Sequence, residues 1–290
     1  MMAATFHKPA TVDDAVRVLS DAGEGGRPIS GGATLVAMMN AKLVEPDVLV
    51  SLSAIAELKD FGRAPDGTVR IGAMRRHRET AFESDLSGGQ AVVAKAASQI
   101  ANPPVRNMGT IGGSISFADP AADYPPALVA ADATIEIAGP DGRRLVPAEE
   151  FFLGWYETAV EPGEIVTAVL LPPAPERAVG HYEKLCRVAG DFALASVALV
   201  LALDGAGTVT HLRLAVGGCG GGPVRCPEAE ALVVGAAPSK ERVAALAARL
   251  VEDLDPVDDS RGSAEYRLQI VPRLIAKAFE EALTEMEPAR

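Results

Sequence analysis

The sequence LPPAP at residues 171–175 divides the chain, because it cannot lie inside one helix or one central strand. Proline fixes φ and lacks a backbone N–H, so three prolines in five residues interrupt both kinds of element. We therefore expect a boundary there, about three fifths of the way along the 290 residues. With an earlier break before the Asp66–Gly67 turn, the pattern predicts three segments: 1–60, 61–175 and 176–290.

Apolar periodicity predicts helices and strands in every segment, and hence an α+β protein. In the first segment we expect helices at 11–21 and 33–41 and strands at 28–30 and 48–51. In the second we expect a strand at 68–73, a helix at 90–100, a glycine-rich strand and turn at 107–116, a loop leading into a helix at 120–131, a hairpin of 133–138 with 145–146, and a strand at 164–171. In the third we expect three antiparallel strands at 181–187, 193–203 and 209–216, followed by helices at 228–234, 239–250 and 264–283.

Composition excludes several classes of protein. The net charge of −12 and the 4% aromatic content disfavour a nucleic-acid or anionic-membrane binder. The longest apolar run, 192–203, is too short for a bilayer span, which needs about 20 residues. Three scattered cysteines are too few for an iron–sulfur or zinc site, and an odd count without a secretory start predicts a cytoplasmic location.

Two glycine pairs are the strongest candidates for a ligand site: Gly31–Gly32 and Gly112–Gly113. Adjacent glycines let the backbone approach a ligand and direct its N–H groups toward a phosphate. Small or hydroxyl residues, among them Ser30, Thr110 and Ser114, flank both pairs. Either pair alone is also compatible with a simple tight turn, but together they favour one diphosphate held between two lobes.

Other motifs narrow the chemistry further. The chain has no G-x-x-x-x-G-K-[ST] loop, no G-x-G-x-x-G, no H-E-x-x-H and no nucleophile elbow. Asp119 and Asp123 follow the second glycine pair and could accept hydrogen bonds from sugar hydroxyls; an Asx turn and a helix N-cap are their alternative roles. Lys184 could stabilise a negative cofactor edge, although a lysine on an edge strand is usually solvated.

In order along the chain, the sequence resembles the FAD-binding medium subunits of the molybdenum hydroxylases, the family of carbon monoxide dehydrogenase and xanthine dehydrogenase. The resemblance covers essentially the whole chain. It is carried by ISGGATL at 29–35, IGA at 71–73, NMGTIGGS at 107–114, DPAAD at 119–123, FFLG at 151–154, EPGEIV at 161–166, KLCRVAGDF at 184–192, PVR at 223–225 and AEYR at 264–267.

The resemblance implies a two-lobed FAD-binding domain (PCMH-type) followed by a smaller C-terminal α+β domain with a three-stranded antiparallel sheet and helices. It implies that two loops hold the pyrophosphate, formed by Pro28, Ile29, Ser30, Gly31, Gly32, Ala33, Thr34 and Leu35 and by Thr110, Gly112, Gly113 and Ser114. It also implies that Asp123, and Asp119, bind ribityl or ribose hydroxyls. Ile100 and Val166 would then line the adenine and flavin surroundings, and Lys184 and Phe192 would approach the flavin ring.

Two positions depart from the family pattern. Phe192 stands where relatives often have tyrosine, which removes a hydroxyl but keeps the packing surface, and Ala33-Thr34 replaces Thr-Ser or His-Ser. Neither glycine turn contains a cysteine or histidine, so the resemblance implies noncovalent FAD.

The implied function is electron relay from the [2Fe-2S] clusters of a small subunit, through FAD, to an external acceptor. The molybdenum cofactor would lie on a large subunit, and the assembly would be a dimer of heterotrimers. No residue of this chain is expected to be catalytic in itself. Two alternatives remain open: a free-standing flavin-dependent oxidoreductase, and a flavin-free structural or binding subunit of the same fold.

Overall fold

A small parallel sheet forms the first segment of the computed structural model, which describes residues 4–286. Its strands and helices are β1 (Thr5–His7), α1 (Val12–Ala22), β2 (Gly26–Ile29), α2 (Leu35–Asn40) and β3 (Val48–Ser51), with strand order β1-β3-β2. Helix α1 begins where the Thr11 side chain accepts a hydrogen bond from the Asp14 N–H, as its N-cap position predicts. The apolar face of α1 packs on the sheet. The strand order makes β2 an edge strand, and the chain continues from β2 into the first glycine pair.

The second segment is built on a five-stranded antiparallel sheet with the order β4-β5-β10-β6-β7. Its strands are β4 (Phe61–Arg63), β5 (Val69–Gly72), β6 (Thr134–Gly139), β7 (Gly142–Pro147) and β10 (Ile165–Leu171), and a small hairpin consists of β8 (Phe152–Gly154) and β9 (Glu157–Thr158). The helices are α3 (His77–Ala81), α4 (Ala91–Gln99), α5 (Pro103–Arg106), α6 (Ile111–Phe117), α7 (Tyr124–Ala130) and α8 (Ala148–Phe151). The predicted hairpin of 133–138 with 145–146 is confirmed as β6 and β7.

The prediction of a strand at the second glycine pair is wrong. Residues 103–106 and 111–117 are short helices, α5 and α6, separated by a bend. The Thr110 side chain caps α6 by accepting a hydrogen bond from the Gly113 N–H at 3.1 Å. A hydroxyl immediately before a small-residue run is an N-cap signal, and here it prevails over the strand pattern.

The third segment contains a four-stranded antiparallel sheet, one strand more than predicted. Its elements are β11 (Val179–Leu185), β12 (Ala195–Leu203), β13 (Val209–Gly217), β14 (Val224–Arg225), α9 (Pro227–Glu230), α10 (Lys240–Val251) and α11 (Ala264–Met286). The additional strand, β14, has only two residues, which is too short to show a two-residue period in the sequence.

Central strand β12 explains how the third segment is joined to the second. Its residues alternate between two cores: Ala198, Val200 and Ala202 face the core that contains α4 and α7, whereas Val197 and Leu199 face α10 and α11. A strand covered on both faces is apolar throughout, which accounts for the long apolar run. The α+β class is confirmed, whereas the three segment boundaries stay a prediction. Within residues 4–286, no helix has the length and apolar character needed to cross a membrane.

Candidate functional site

The first glycine loop, which follows β2, contains consecutive backbone N–H groups that donate to no acceptor in the described part of the chain. The N–H groups of Gly31, Gly32, Ala33 and Thr34 have no hydrogen-bond acceptor among residues 4–286. Gly32 has a φ of +74°, which a side chain rarely tolerates. Consecutive free N–H groups around a left-handed residue form a concave donor surface suited to an anion such as phosphate.

The second glycine turn has no comparable set of free donors. The N–H groups of Ile111 and Gly112 donate to the carbonyls of Arg75 and Ala73 at 3.0 and 2.9 Å, and those of Gly113 and Ser114 donate to Thr110. This turn therefore offers space rather than N–H groups. The prediction that both turns present free amides is wrong for the second turn, and diphosphate binding at the first loop stays a prediction.

The two loops nevertheless face each other. A β-carbon on Gly31 would overlap the carbonyl oxygen of Met108, so the first loop lies against the backbone just before the second turn. A β-carbon on Gly113 would lie 3.6 Å from the Ser30 hydroxyl oxygen. Residues about eighty positions apart in sequence thus lie beside each other, and we call the surface where the two loops meet the Ser30–Gly113 cleft.

The two glycines of the second pair have different roles. A β-carbon on Gly112 would lie 2.6 Å from the Ala73 β-carbon and 2.8 Å from its carbonyl oxygen, so Gly112 faces the protein core. A valine at Gly112 would therefore press on Ala73 rather than fill a space for phosphate. Gly113 is exposed and points toward Ser30.

We expect Gly112→Val to lower the stability of the whole chain. The added side chain must displace the Ala73 backbone, and overpacking of this kind costs roughly 1–3 kcal/mol. Chemical denaturation followed by circular dichroism measures this change. An unfolding midpoint equal to that of the wild type would show that Gly112 does not pack against Ala73.

Asp119 is buried and has partners within the chain. Asp119 forms the Asx turn that was its alternative role, because its Oδ1 accepts a hydrogen bond from the Ala121 N–H at 2.9 Å. The Tyr156 hydroxyl donates to Oδ2 at 3.3 Å. Both carboxylate oxygens of Asp119 thus have partners within the chain.

Asp123 forms a buried ion pair with Lys184. The Lys184 ammonium lies 2.8 Å from Asp123 Oδ1, and the two side chains are 1% and 6% exposed. The Tyr182 hydroxyl donates to the same oxygen at 2.7 Å. Burial raises the pKa of the Asp123 carboxyl, and the two donors oppose that shift.

Asp123 occupies the N-cap position of α7, as its alternative role predicted, but its side chain makes no capping hydrogen bond there. The solvated alternative for Lys184 is wrong, because its side chain is buried although β11 is an edge strand. Tyr182 was missed by the sequence analysis. The alternation of β11 could have found it, because residues two apart on a strand share a face.

The remaining predicted neighbours of the flavin differ in exposure. Phe192 is 43% exposed, and the Arg261 guanidinium lies over its ring at 5.1 Å. Ile100 is half-buried at the end of α4, whereas Val166 is buried in β10. Phe192 and Ile100 are thus accessible to a ligand, and Val166 lies in the core.

His77 lies beneath the second glycine turn and was not singled out from the sequence. Its ring Nδ1 is 3.3 Å from the Tyr124 hydroxyl, and its backbone N–H donates to the Gly109 carbonyl at 3.0 Å. Burial, and secondarily the charge of Arg106, lowers the pKa of His77 to about 4. The imidazole is therefore neutral near pH 7 and supports the turn as a packing residue.

This burial predicts a pH-dependent stability. The pKa of His77 rises from about 4 in the folded chain to 6.5 in the unfolded chain, so acid favours unfolding below pH 6.5. The loss reaches about 3 kcal/mol at pH 4, at 1.36 kcal/mol per pKa unit. Unfolding free energies of wild type and His77→Gln, measured from pH 7 to pH 4, should converge by this amount. Parallel pH profiles would contradict the assignment.

The fold and the free N–H groups of the first loop define a class, the α+β proteins with a glycine loop suited to a phosphate-containing ligand. Comparisons identify the family within it. Residues 2–174 match the family described as the FAD binding domain in molybdopterin dehydrogenase, and residues 180–282 match the C-terminal domain of the CO dehydrogenase flavoprotein. The chain therefore belongs to the FAD-binding subunits of the molybdenum hydroxylase family, which are components of oxidoreductases.

Similar proteins match along nearly their whole length. The chain is 36% identical to the carbon monoxide dehydrogenase medium chain of Afipia carboxidovorans, with 96% of each chain covered. It is 33% identical to subunit alpha of the 6-hydroxypseudooxynicotine dehydrogenase complex of Paenarthrobacter nicotinovorans, covering 97% of this chain and 94% of that protein. A solved carbon monoxide dehydrogenase from Hydrogenophaga pseudoflava, lacking the Mo-pyranopterin moiety of its cofactor, superposes with a TM-score of 0.93 at 35% identity and 97% coverage of both chains.

Proposed function

We propose that the Ser30–Gly113 cleft binds the diphosphate of one FAD molecule without a covalent bond. The observation that carries this proposal is the strip of four unpaired N–H groups at residues 31–34, opposite a glycine with no side chain. In a chain of net charge −12, local N–H dipoles are a suitable way to hold an anion. The donor set suits the phosphates of a dinucleotide, and Gly113 adds no side chain to the space beside Ser30.

The other predicted residues differ in how deeply they are buried. Phe192 and Ile100 are accessible and suit contact with the flavin or adenine rings. Donors within the chain already contact the carboxylates of Asp119 and Asp123. We propose that these carboxylates bind sugar hydroxyls only through the part of their surface that those donors leave free. Val166 supports the site from the core of the sheet.

We further propose that the chain relays electrons within a cytoplasmic complex. FAD, when bound, supplies the redox chemistry by accepting electrons and passing them to an external acceptor. The protein binds and orients it between two lobes. The proposed partners are a small [2Fe-2S] subunit and a large molybdenum-cofactor subunit, arranged as a dimer of heterotrimers. Two similar proteins are named as a complex subunit and a medium chain, which supports the proposed assembly. Free thiols at Cys186, Cys219 and Cys226 support the proposed cytoplasmic location.

The relay is tested on the complex purified from its natural source. We expect iron, molybdenum and FAD together with two further chains, and flavin reduction on adding the oxidisable substrate of the large subunit. The isolated chain with FAD should show no turnover of organic substrates. Steady turnover by the isolated chain would support a free-standing oxidoreductase, and a complex without flavin would support a structural subunit.

A further inference from the structure

The Lys184 ammonium joins three separate parts of the chain. It lies 2.8 Å from Asp123 Oδ1 at the start of α7, 2.9 Å from the Gln99 carbonyl at the end of α4, and 3.0 Å from the Asp191 carbonyl in the loop after β11. An ammonium has three N–H groups, and these three acceptors match that number. Since the side chain is 1% exposed, it presents no surface to a ligand.

We propose that Lys184 is a positioning residue whose enclosed ammonium sets two walls of the flavin site without itself touching the flavin. This inference rests on the proposed function. Each carbonyl that Lys184 holds directly precedes a predicted flavin neighbour: Gln99 precedes Ile100, and Asp191 precedes Phe192. Lys184 therefore fixes the backbone from which both side chains extend.

A second contact links the same two walls. Gly190 has a φ of +85°, and a β-carbon there would overlap the carbonyl oxygen of Ala101, whose own φ is +43°. The loop 186–192 thus lies directly against the turn after α4. The Arg106 guanidinium also donates to the carbonyls of Ile100 and Ala101, at 2.7 and 2.6 Å. With the turn held from this side, the Lys184 ammonium adds hydrogen bonds that tie the loop 186–192 to the turn and to α7.

Because Lys184 forms an ion pair with Asp123, replacing Lys184 alone changes more than its hydrogen bonds to the loops. Removing Lys184 alone leaves the Asp123 charge buried with Tyr182 as its remaining side-chain donor, and an uncompensated buried charge is strongly destabilising. Asp123→Asn keeps the lysine bonds to Gln99 and Asp191. Lys184→Met/Asp123→Asn removes both charges together with those two bonds. The difference between the last two variants therefore reports the loss of the two lysine bonds to the loops together with the removal of the lysine charge, which Asp123→Asn leaves without its carboxylate.

The test uses the full chain reconstituted with FAD. We expect Lys184→Met to unfold at a lower temperature, and Lys184→Met/Asp123→Asn to regain most of that loss. Relative to Asp123→Asn, the double variant should bind FAD at least tenfold more weakly, show an altered visible circular dichroism of the bound flavin, and be cleaved faster by trypsin after the exposed Arg187. Lys277→Met, which removes an exposed ion pair to Glu183 on β11, should match the wild type.

Equal FAD affinity, flavin dichroism and cleavage rate in Asp123→Asn and the double variant would overturn the positioning role. A wild-type chain that binds no FAD would instead overturn the proposed function. Faster cleavage in the double variant with unchanged flavin dichroism and affinity would also contradict the proposal, because the loop would then be released without effect on the flavin.

Discussion

Gly113→Val is expected to abolish FAD binding while leaving the chain folded. Its new side chain enters the Ser30–Gly113 cleft, where a β-carbon already lies 3.6 Å from the Ser30 hydroxyl oxygen and 3.1 Å from Thr110 Oγ1. Gly113 is exposed and helical, so valine costs little in backbone strain. We expect a loss of at least about 100-fold in FAD affinity, equivalent to about 2.7 kcal/mol.

Flavin retained after gel filtration measures this loss, and thermal unfolding measures the fold. Gly62→Val is the matched control, since a β-carbon at Gly62 meets no atom within 4 Å. The control should bind FAD as the wild type does. Stoichiometric FAD in Gly113→Val would show that the cofactor does not occupy this cleft.

Gly31→Ala is expected to affect both FAD binding and stability. Its methyl group would overlap the Met108 carbonyl oxygen, lie 2.6 Å from the Met108 carbonyl carbon and 3.1 Å from the Gly109 Cα. These are backbone atoms, which cannot rotate away as a side chain can, so the two loops must separate. We expect a stability loss of about 1–3 kcal/mol, as for other overpacked sites, together with loss of FAD.

Gly205→Ala serves as the control for this second change, because a β-carbon there also meets nothing within 4 Å. Denaturation midpoints and FAD titrations of both variants should be compared. If Gly31→Ala bound FAD as tightly as Gly205→Ala, the close approach of the two loops would have no part in holding the cofactor.

The glycine pairs show how far sequence reasoning reaches in this chain. Residue type and spacing predict their positions and a joint ligand role, and the structure brings the two pairs close together. Which glycine of the second pair faces the cleft did not, because this depends on Ala73, a residue of a different element nearly forty positions earlier. The distribution of free N–H groups was equally inaccessible, since Arg75 and Ala73 provide the acceptors that occupy the second turn.

The buried ion pair of Asp123 and Lys184 also shows that side-chain partners on distant elements cannot be predicted from the sequence. The strand containing Lys184 was predicted from its pattern, and alternation places Tyr182 on the same face. Their common partner, Asp123, lies on a different element about sixty residues earlier. A carboxylate that appears from the sequence to be a free acceptor is thus enclosed by contacts that only the tertiary fold creates.

Whether this chain alone holds FAD between its two glycine loops is tested most directly by titration. FAD is titrated into the purified, flavin-free chain, and bound flavin is measured after desalting. We predict saturation at one FAD per chain, with the bound flavin lost in Gly113→Val and kept in Gly62→Val. A chain that stays colourless at saturating FAD, or a wild type and Gly113→Val that saturate alike, would contradict it.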